Sequence, residues 1–231
     1  MPKTPRNNFW DKEYHDPKHL SLSTEPAEDL VKFTRWLIRD SGKSLLNPTA
    51  LVLDLGSGNG RNLIYLAKEF GSRGVGYDVS GEAVSQAKKA SVGLPLSFSA
   101  RSIAGKIYLP NNSVFIVLDM MTSHVLRLAE REALRDEIFR VLKPGGFLFF
   151  KTFLLDEDVN AATFLREHPS DEPGSYIHPT LHSYEHVWQE DELRDFFGSS
   201  FEILKIEKSH KHLLHGKPFK RRSIMAYMRK G

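Results

Sequence analysis

Apolar and polar residues recur along this chain in two rhythms, and the order in which those rhythms follow one another points to a fold class. From about Glu25 to Asp40, the residues Leu30, Phe33, Thr34, Leu37 and Ile38 return at helical spacing along one face, and Gly42 stands where a helix would stop. Ala50 to Leu55 is a short, nearly unbroken apolar run that predicts a strand. Leu63, Leu66, Ala67 and Phe70 predict the next helix, and a second strand closes at Asp78. Ser80 is an N-cap for a helix carrying Ala83, Val84, Ala87 and Ala90. Leu96 to Ser99 predicts a third strand. Val114 to Asp119 is apolar until its last residue, as expected of a strand buried on both faces of a parallel sheet. A helix over about 129–142, a stop at Pro144-Gly145-Gly146 and a fifth strand from Phe147 to Phe153 follow. After a long polar segment, a helix from Glu190 to Phe197 closed by Gly198 leads to an antiparallel pair, Phe201 to Ile206 and Ser223 to Met228. Alternating strands and helices of this kind predict an α/β fold with a seven-stranded, mostly parallel sheet.

The turn after the first strand carries the candidate chemistry. Val52 to Leu55 runs through an acid, Asp54, into Gly56-Ser57-Gly58-Asn59-Gly60-Arg61-Asn62, and a second acid, Asp78, closes the next strand. A strand, a glycine turn and a helix form a nucleotide site, because Gly56, Gly58 and Gly60 let a ligand approach the backbone at a helix N-terminus. Asp78 at the tip of the second strand is placed to accept both hydroxyls of a ribose. The spacing is not that of a dinucleotide fingerprint, since the third glycine of G-x-G-x-x-G would fall at Arg61. The pattern is D-x-G-x-G-x-G, and a carboxylate at Asp54 suits a cationic ligand better than a pyrophosphate. S-adenosylmethionine carries a sulfonium and an ammonium.

On these residues the chain resembles the class I, Rossmann-like S-adenosylmethionine-dependent methyltransferases, and the string LDLGSGNGRN is similar to their tellurite-resistance and small-molecule branch. The turn LKPGG before an apolar strand is a second resemblance. It implies helices on both faces of the sheet, an antiparallel C-terminal strand and S-adenosylmethionine as cofactor. It further implies that the backbone of Gly56 and Gly58 lines the methionine part, that Asp54 orders the ammonium, that Asp78 takes the ribose and that Val79 lies against the adenine. Ser57, Gly60, Ser102, Ile103, Asp119 and Met120 complete the expected cofactor set. The acid that relatives often carry after the third strand has no counterpart here, and Ser102 falls nearest to it. Asp119-Met120-Met121-Thr122-Ser123-His124 should face the transferred methyl, with Asp119 and His124 as candidate catalytic residues. This stretch lacks the Asn/Asp-Pro-Pro-Tyr/Phe string of enzymes that methylate adenine N6. Methyl transfer asks mainly for alignment and exclusion of water, so no compact catalytic motif is expected.

Length and composition narrow the alternatives. A chain of 231 residues suits one α/β domain, divided here into an arm and helix over 1–45, a cofactor-binding core over 46–153 and a lid, helix and C-terminal hairpin over 154–231. With no cysteine, disulfides, thiolate metal sites and cysteine nucleophiles are excluded. No apolar run approaches a membrane span and the start lacks a secretory core, so a cytoplasmic protein is expected. The arm bears Phe9, Trp10 and Tyr14 and is expected either to fold over the cofactor, as in many relatives, or to staple onto the domain surface. The His178 and His182-Ser183-Tyr184-Glu185-His186 cluster matches one zinc-peptidase spacing, but its loop context argues against metal, and side chains touching substrate are the favoured reading. His210, His212 and His215 are expected to be solvated. The net charge of +3 conceals a basic end: from Lys205 onward there are nine Lys or Arg and one Glu. Such an end is either a solvated hairpin or a docking surface for an anionic partner. The expected activity is methyl transfer to an N, O or S nucleophile of a small molecule. The alternatives are an RNA or protein methyltransferase docking through the basic hairpin, and a protein that binds the cofactor without turnover.

Overall fold

A computed structural model describes residues 5–19, 22–42, 45–210, 213–214, 217–218 and 220–231. The chain forms two compact units, residues 1–103 with 113–118, and residues 104–112 with 119–231. Seven strands hydrogen-bond in the order β3-β2-β1-β4-β5-β11-β8. The predicted sheet, mostly parallel with an antiparallel C-terminal strand, is therefore present. The order reverses beside β1, the place at which open α/β sheets put ligands outside the carboxyl ends of their strands.

In the first unit, α1 (Pro5–His15) and α2 (Glu28–Ser41) precede β1 (Leu51–Leu55), α3 (Arg61–Phe70), β2 (Arg73–Asp78), α4 (Gly81–Ala90), β3 (Leu96–Ala100) and most of β4 (Val114–Met120). β1, β2 and β3 are parallel, with Asp54 opposite Gly76 and Gly76 opposite Phe98. α2 buries Leu30, Phe33, Thr34 and Leu37, the face that its periodicity marked, while Val52, Leu53, Leu55, Leu63, Leu66, Ala83, Val84 and Ala87 are all buried. Ser80 caps α4 as expected, its oxygen accepting from Ala83 N–H. The segment read as an arm is an α-helix.

In the second unit, a 3-10 turn (Ser123–Val125) leads to α5 (Leu128–Val141), β5 (Leu142–Phe153), α6 (Val159–Glu167), β6 (Ser175–Ile177), β7 (Tyr184–His186) and α7 (Glu190–Gly198). β8 (Glu202–Lys208), β9 (Leu213–Leu214), β10 (Lys217–Pro218) and β11 (Ser223–Arg229) finish the chain. β5 begins at Leu142, five residues earlier than the Pro-Gly-Gly signal predicts. The reason is non-local: Gly145 N–H donates to the Lys230 carbonyl at 2.8 Å and Lys230 N–H to the Gly146 carbonyl at 2.9 Å, so the turn residues already pair with the end of β11. α7 likewise includes Gly198, which was expected to close it. Its core joins Phe147, Leu148, Phe149, Phe150, Trp188 and Phe197 to the buried run Ile224 to Met228. Among the described residues no helix is long and apolar enough to cross a membrane.

Candidate functional site

The glycine turn is tied to the next strand before any side chain contributes. Gly56 and Ser57 both donate their N–H groups to the Tyr77 carbonyl, at 2.7 and 2.9 Å, which folds the turn back over β2. Gly58, at φ 54°, turns its N–H to Asp78 Oδ2 at 2.8 Å, and Ser80 N–H donates to Asp78 Oδ1 at 2.9 Å. Burial raises the proton affinity of Asp78 and these backbone bonds oppose it. Asp54 is buried at the end of β1, and the Ser57 hydroxyl is buried with no hydrogen-bond partner among the described residues. Two close approaches explain why glycine is needed. A Cβ on Gly76 would lie 2.6 Å from Ser57 Oγ and 2.5 Å from Phe98, and a Cβ on Gly58 would overlap the Tyr14 hydroxyl.

That overlap reveals a site residue whose position the sequence did not give. α1 lays Tyr14 directly on the glycine turn, where burial, and the nearby carboxylates of Asp78 and Asp54, raise the proton affinity of its phenol. The polar residues of the turn hold the segment that follows α1: Asn59 Nδ2 donates to the Ser23 carbonyl, Arg61 Nη1 to the Glu25 carbonyl, and Asn62 Oδ1 accepts from Ala27 N–H. Phe9 and Trp10, by contrast, pack edge to face with their ring centroids 5.1 Å apart. Thus Asp54, Gly56, Ser57, Gly58, Gly60, Asp78 and Val79 surround one turn. Ser102 is exposed and Ile103 buried just beyond β3.

Asp119, Met120 and His124 belong to the second unit. Asp119 is buried and accepts from Ser123 N–H at 3.1 Å, and loss of solvent pushes its pKa up to about 6. Met121 follows with φ 61°, a conformation costly for a side chain of this kind and characteristic of constrained sites. His124 is buried edge to face against Phe153, with ring centroids 5.1 Å apart. Its Nδ1 has no partner among the described residues, and burial pushes its pKa down to about 4. The order of basicity is the reverse of the ordinary one, because burial disfavours whichever form is charged.

Parts of the polar segment 154–187 are buried, chiefly Ser175 and Tyr176 on β6 and Tyr184, Glu185 and His186 on β7. Tyr176 Oη donates to Glu185 Oε2 at 2.5 Å, and Arg221 donates to Tyr176 Oη at 2.7 Å and to Asp158 Oδ2 at 3.0 Å while lying 4.2 Å from the Phe153 ring centroid. His186 is buried on β7 between Ser175 Oγ at 2.8 Å and Glu192 Oε1 at 2.7 Å. His178 Nδ1 instead accepts from Thr180 and Leu181 N–H, closing a turn. Among the described residues no group of His, Asp and Glu is placed to hold a metal. Among the described residues, the cations of the basic end are mostly half-exposed and paired within the chain. Arg222 pairs with Glu157, Lys208 with Asp156 and Glu190, Arg229 with Glu202, and Lys230 donates to the carbonyls of Phe139 and Leu142. His212, His215 and Phe219 lie outside the described residues.

Residues 52–146 match a protein family described as a methyltransferase domain. Such domains take S-adenosylmethionine as methyl donor, and the turn fits it: two carboxylates suit a sulfonium and an ammonium, and the buried Ser57 hydroxyl has no partner among the described residues. Similar curated proteins include phosphoethanolamine N-methyltransferase 1 of Arabidopsis thaliana, 32% identical over 53% of this chain and 25% of that one. Another is the phosphoethanolamine N-methyltransferase of Plasmodium falciparum, 29% identical over 50% of this chain and 43% of its own length. The chain thus spans less than half the length of these relatives. The fold is shared with a methyltransferase structure from Methanosarcina mazei (TM-score 0.67, 22% identity, 80% of this chain and 93% of that one). It is shared too with one from Anabaena variabilis (TM-score 0.66, 18% identity, 98% and 93%).

Proposed function

We propose that this protein transfers the methyl group of S-adenosylmethionine to a nitrogen, oxygen or sulfur nucleophile of a small molecule, with an amine the first candidate. Residues 1–231 are read as one methyltransferase domain of the tellurite-resistance and small-molecule kind, an assignment that rests on the LDLGSGNGRN string. The cofactor supplies an activated methyl bound to a sulfonium. Gly56, Ser57, Gly58 and Gly60 receive its amino-acid portion through their backbone and the Ser57 hydroxyl, with Asp54 as counter-charge to the ammonium. Asp78 takes the ribose hydroxyls, and Val79, Ser102 and Ile103 border the adenine. Asp119, Met120 and His124 serve the acceptor side. An ammonium acceptor must lose a proton before its lone pair can attack, and a base is most effective when its pKa lies near the working pH. Asp119, at about 6, is better matched than His124, at about 4.

The observation that supports the acceptor class is that the described cations of the basic end pair with carboxylates of the same chain. A docking surface for RNA needs cations free to displace counterions from phosphates. Arg221 and Arg222 are instead engaged by Asp158 and Glu157. The names of the phosphoethanolamine N-methyltransferases add support for a small amine. Incubation with methyl-labelled cofactor and separate panels of small amines, alcohols, thiols, RNA and proteins tests the reading. Release of S-adenosylhomocysteine with the small molecules is expected. Label entering only RNA or protein would reverse the assignment.

A further inference from the structure

A run of short hydrogen bonds crosses the second unit, from Glu192 on α7 through His186 on β7, Ser175 on β6 and Tyr184 on β7 to Glu172. Glu192 Oε1 lies 2.7 Å from His186 Nε2, and His186 Nδ1 lies 2.8 Å from Ser175 Oγ. Ser175 Oγ is in turn 2.7 Å from Tyr184 Oη, which donates to Glu172 Oε2 at 2.5 Å. Ser175, Tyr184 and His186 are buried, so a contact in which two lone pairs faced each other would be costly. The protons of such a chain can be counted. Burial works against ionisation of Glu172, yet hydrogen bonds from Tyr184 and Leu128 N–H and the charges of Arg131 and Arg127 hold its carboxyl below the usual range. Glu172 therefore accepts, and the one proton of Tyr184 goes to it. Ser175 must then give its own proton to Tyr184, since its other acceptor, the Pro173 carbonyl, lies at 3.4 Å. With that proton committed, Ser175 can only accept from His186, which places a proton on Nδ1. Nε2 faces a carboxylate oxygen and needs a proton as well. Four contacts join five groups, and a neutral histidine leaves them one proton short.

We infer that His186 is a buried imidazolium, and that the proton stored in this chain fixes the β6–β7 hairpin, with its charge, beside the turn that carries His124. The inference rests on the placing of His124 on the acceptor side in the proposed function. Water reaches Glu192, whose side chain is 39% exposed, so the added proton rests on the ring rather than on that carboxylate. Arg131, buried on α5, donates from Nη1 to Tyr184 Oη at 3.2 Å and to the Leu126 carbonyl at 2.7 Å. Two cations, Arg131 and His186, thus balance two carboxylates, Glu172 and Glu192, whereas a neutral ring would leave a broken contact and an unmatched charge. β7 packs beside the 3-10 turn, and the ring of Trp188 stands edge-on to His186 with centroids 5.0 Å apart. The charge of His186 acts on His124 along with those of Glu185, Arg221 and Arg131. His186 works through the hairpin and through its charge, which disfavours a second cation on His124, and is a positioning residue.

Nitrogen NMR of the histidine rings in the full chain at neutral pH reads the proton count directly, and both ring nitrogens of His186 should resonate as protonated. Tyr184→Phe frees the Ser175 hydroxyl to turn toward Nδ1, and a neutral ring then satisfies every remaining contact. This variant should lose the proton on Nδ1. Glu192→Gln, at the exposed end of the chain, offers an amide N–H to Nε2 and should lose the proton there instead, which keeps the test open if Tyr184→Phe does not fold. In both variants His124 should take up its proton at higher pH than in the parent, because the cation beside it is gone. A hairpin held by shape alone would not move that titration. An unprotonated ring nitrogen in the parent, or retention of both ring protons in both variants, would overturn the stored proton. Loss of the ring proton with the His124 titration unmoved would overturn the link to the acceptor side. None of these readouts needs turnover, so they stand apart from the methyl-transfer assay that tests the proposed function.

Discussion

Asp119 and His124 titrate in opposite senses in the folded protein, and removing one should expose the other. Burial moves Asp119 from its ordinary 3.8 to about 6 and His124 from its ordinary 6.5 to about 4. The folded protein holds the Asp119 proton more tightly than the unfolded chain does. The associated stability is therefore complete below pH 3.8 and is lost as pH rises through about 6. At 1.36 kcal/mol for each tenfold in proton affinity, the loss is about 3 kcal/mol. For His124 the folded protein holds the proton less tightly, so stability is complete above pH 6.5 and is lost as pH falls through about 4, again by about 3 kcal/mol. The two slopes nearly cancel in the parent protein. Asp119→Asn keeps an oxygen to accept from Ser123 N–H and deletes the ionisation, while His124→Asn deletes the other. Urea denaturation across this range, read as differences from the parent so that shared groups drop out, should show opposite trends. The Asp119→Asn difference should rise by about 3 kcal/mol between acid and neutral pH, and the His124→Asn difference should fall by about as much. An Asp119→Asn difference that stays flat with pH would refute the claim that desolvation governs this carboxyl, and with it the case for Asp119 as the better base.

Arg221→Ala should cost about 3–5 kcal/mol by leaving Asp158 and Glu185 as uncompensated buried charges, whereas Lys220→Ala, on an exposed residue, should change stability by less than about 0.5 kcal/mol in the same denaturation assay. Gly58→Ala should lose about 1–2 kcal/mol from its left-handed backbone alone and more from displacing Tyr14; calorimetry should find that Tyr14→Ala in the same chain restores part of the lost cofactor affinity. Single-stranded RNA should bind weakly, with a log–log salt slope far shallower than the about −0.7 per phosphate of a true docking surface; a slope equivalent to several phosphates would reinstate that surface.

The first unit was legible because its signals are local. Periodicity alone marked the buried face of α2 and the strands Leu51–Leu55 and Arg73–Asp78, and Ser80 was readable as a cap because its partner is three residues away. What escaped depends on partners far along the chain. Asp11 lies 69 residues from Ser80, so nothing in the string FWDKEY announces a cap for α4. The start of β5 at Leu142 depends on Lys230, which no turn rule can see. The basic end reads as a patch when charges are counted along the sequence, but Arg221 meets Asp158 across 63 residues and Arg222 meets Glu157 across 65. Local composition overstated the free charge. The histidine of the candidate site was recognised by type, while its depressed basicity comes from burial that a sequence does not display.

The central claim is that the turn from Asp54 to Gly60, together with Asp78, is a site for S-adenosylmethionine. Titration calorimetry of the full chain with S-adenosylmethionine, S-adenosylhomocysteine and NAD, repeated on Asp78→Ala, tests it most directly. Saturable binding of the two sulfur nucleosides, no binding of NAD and a loss of about 1.5–3 kcal/mol in Asp78→Ala for each strong contact removed are the predicted results. Binding of NAD in place of the methyl donor, or full affinity for the donor in Asp78→Ala, would contradict it.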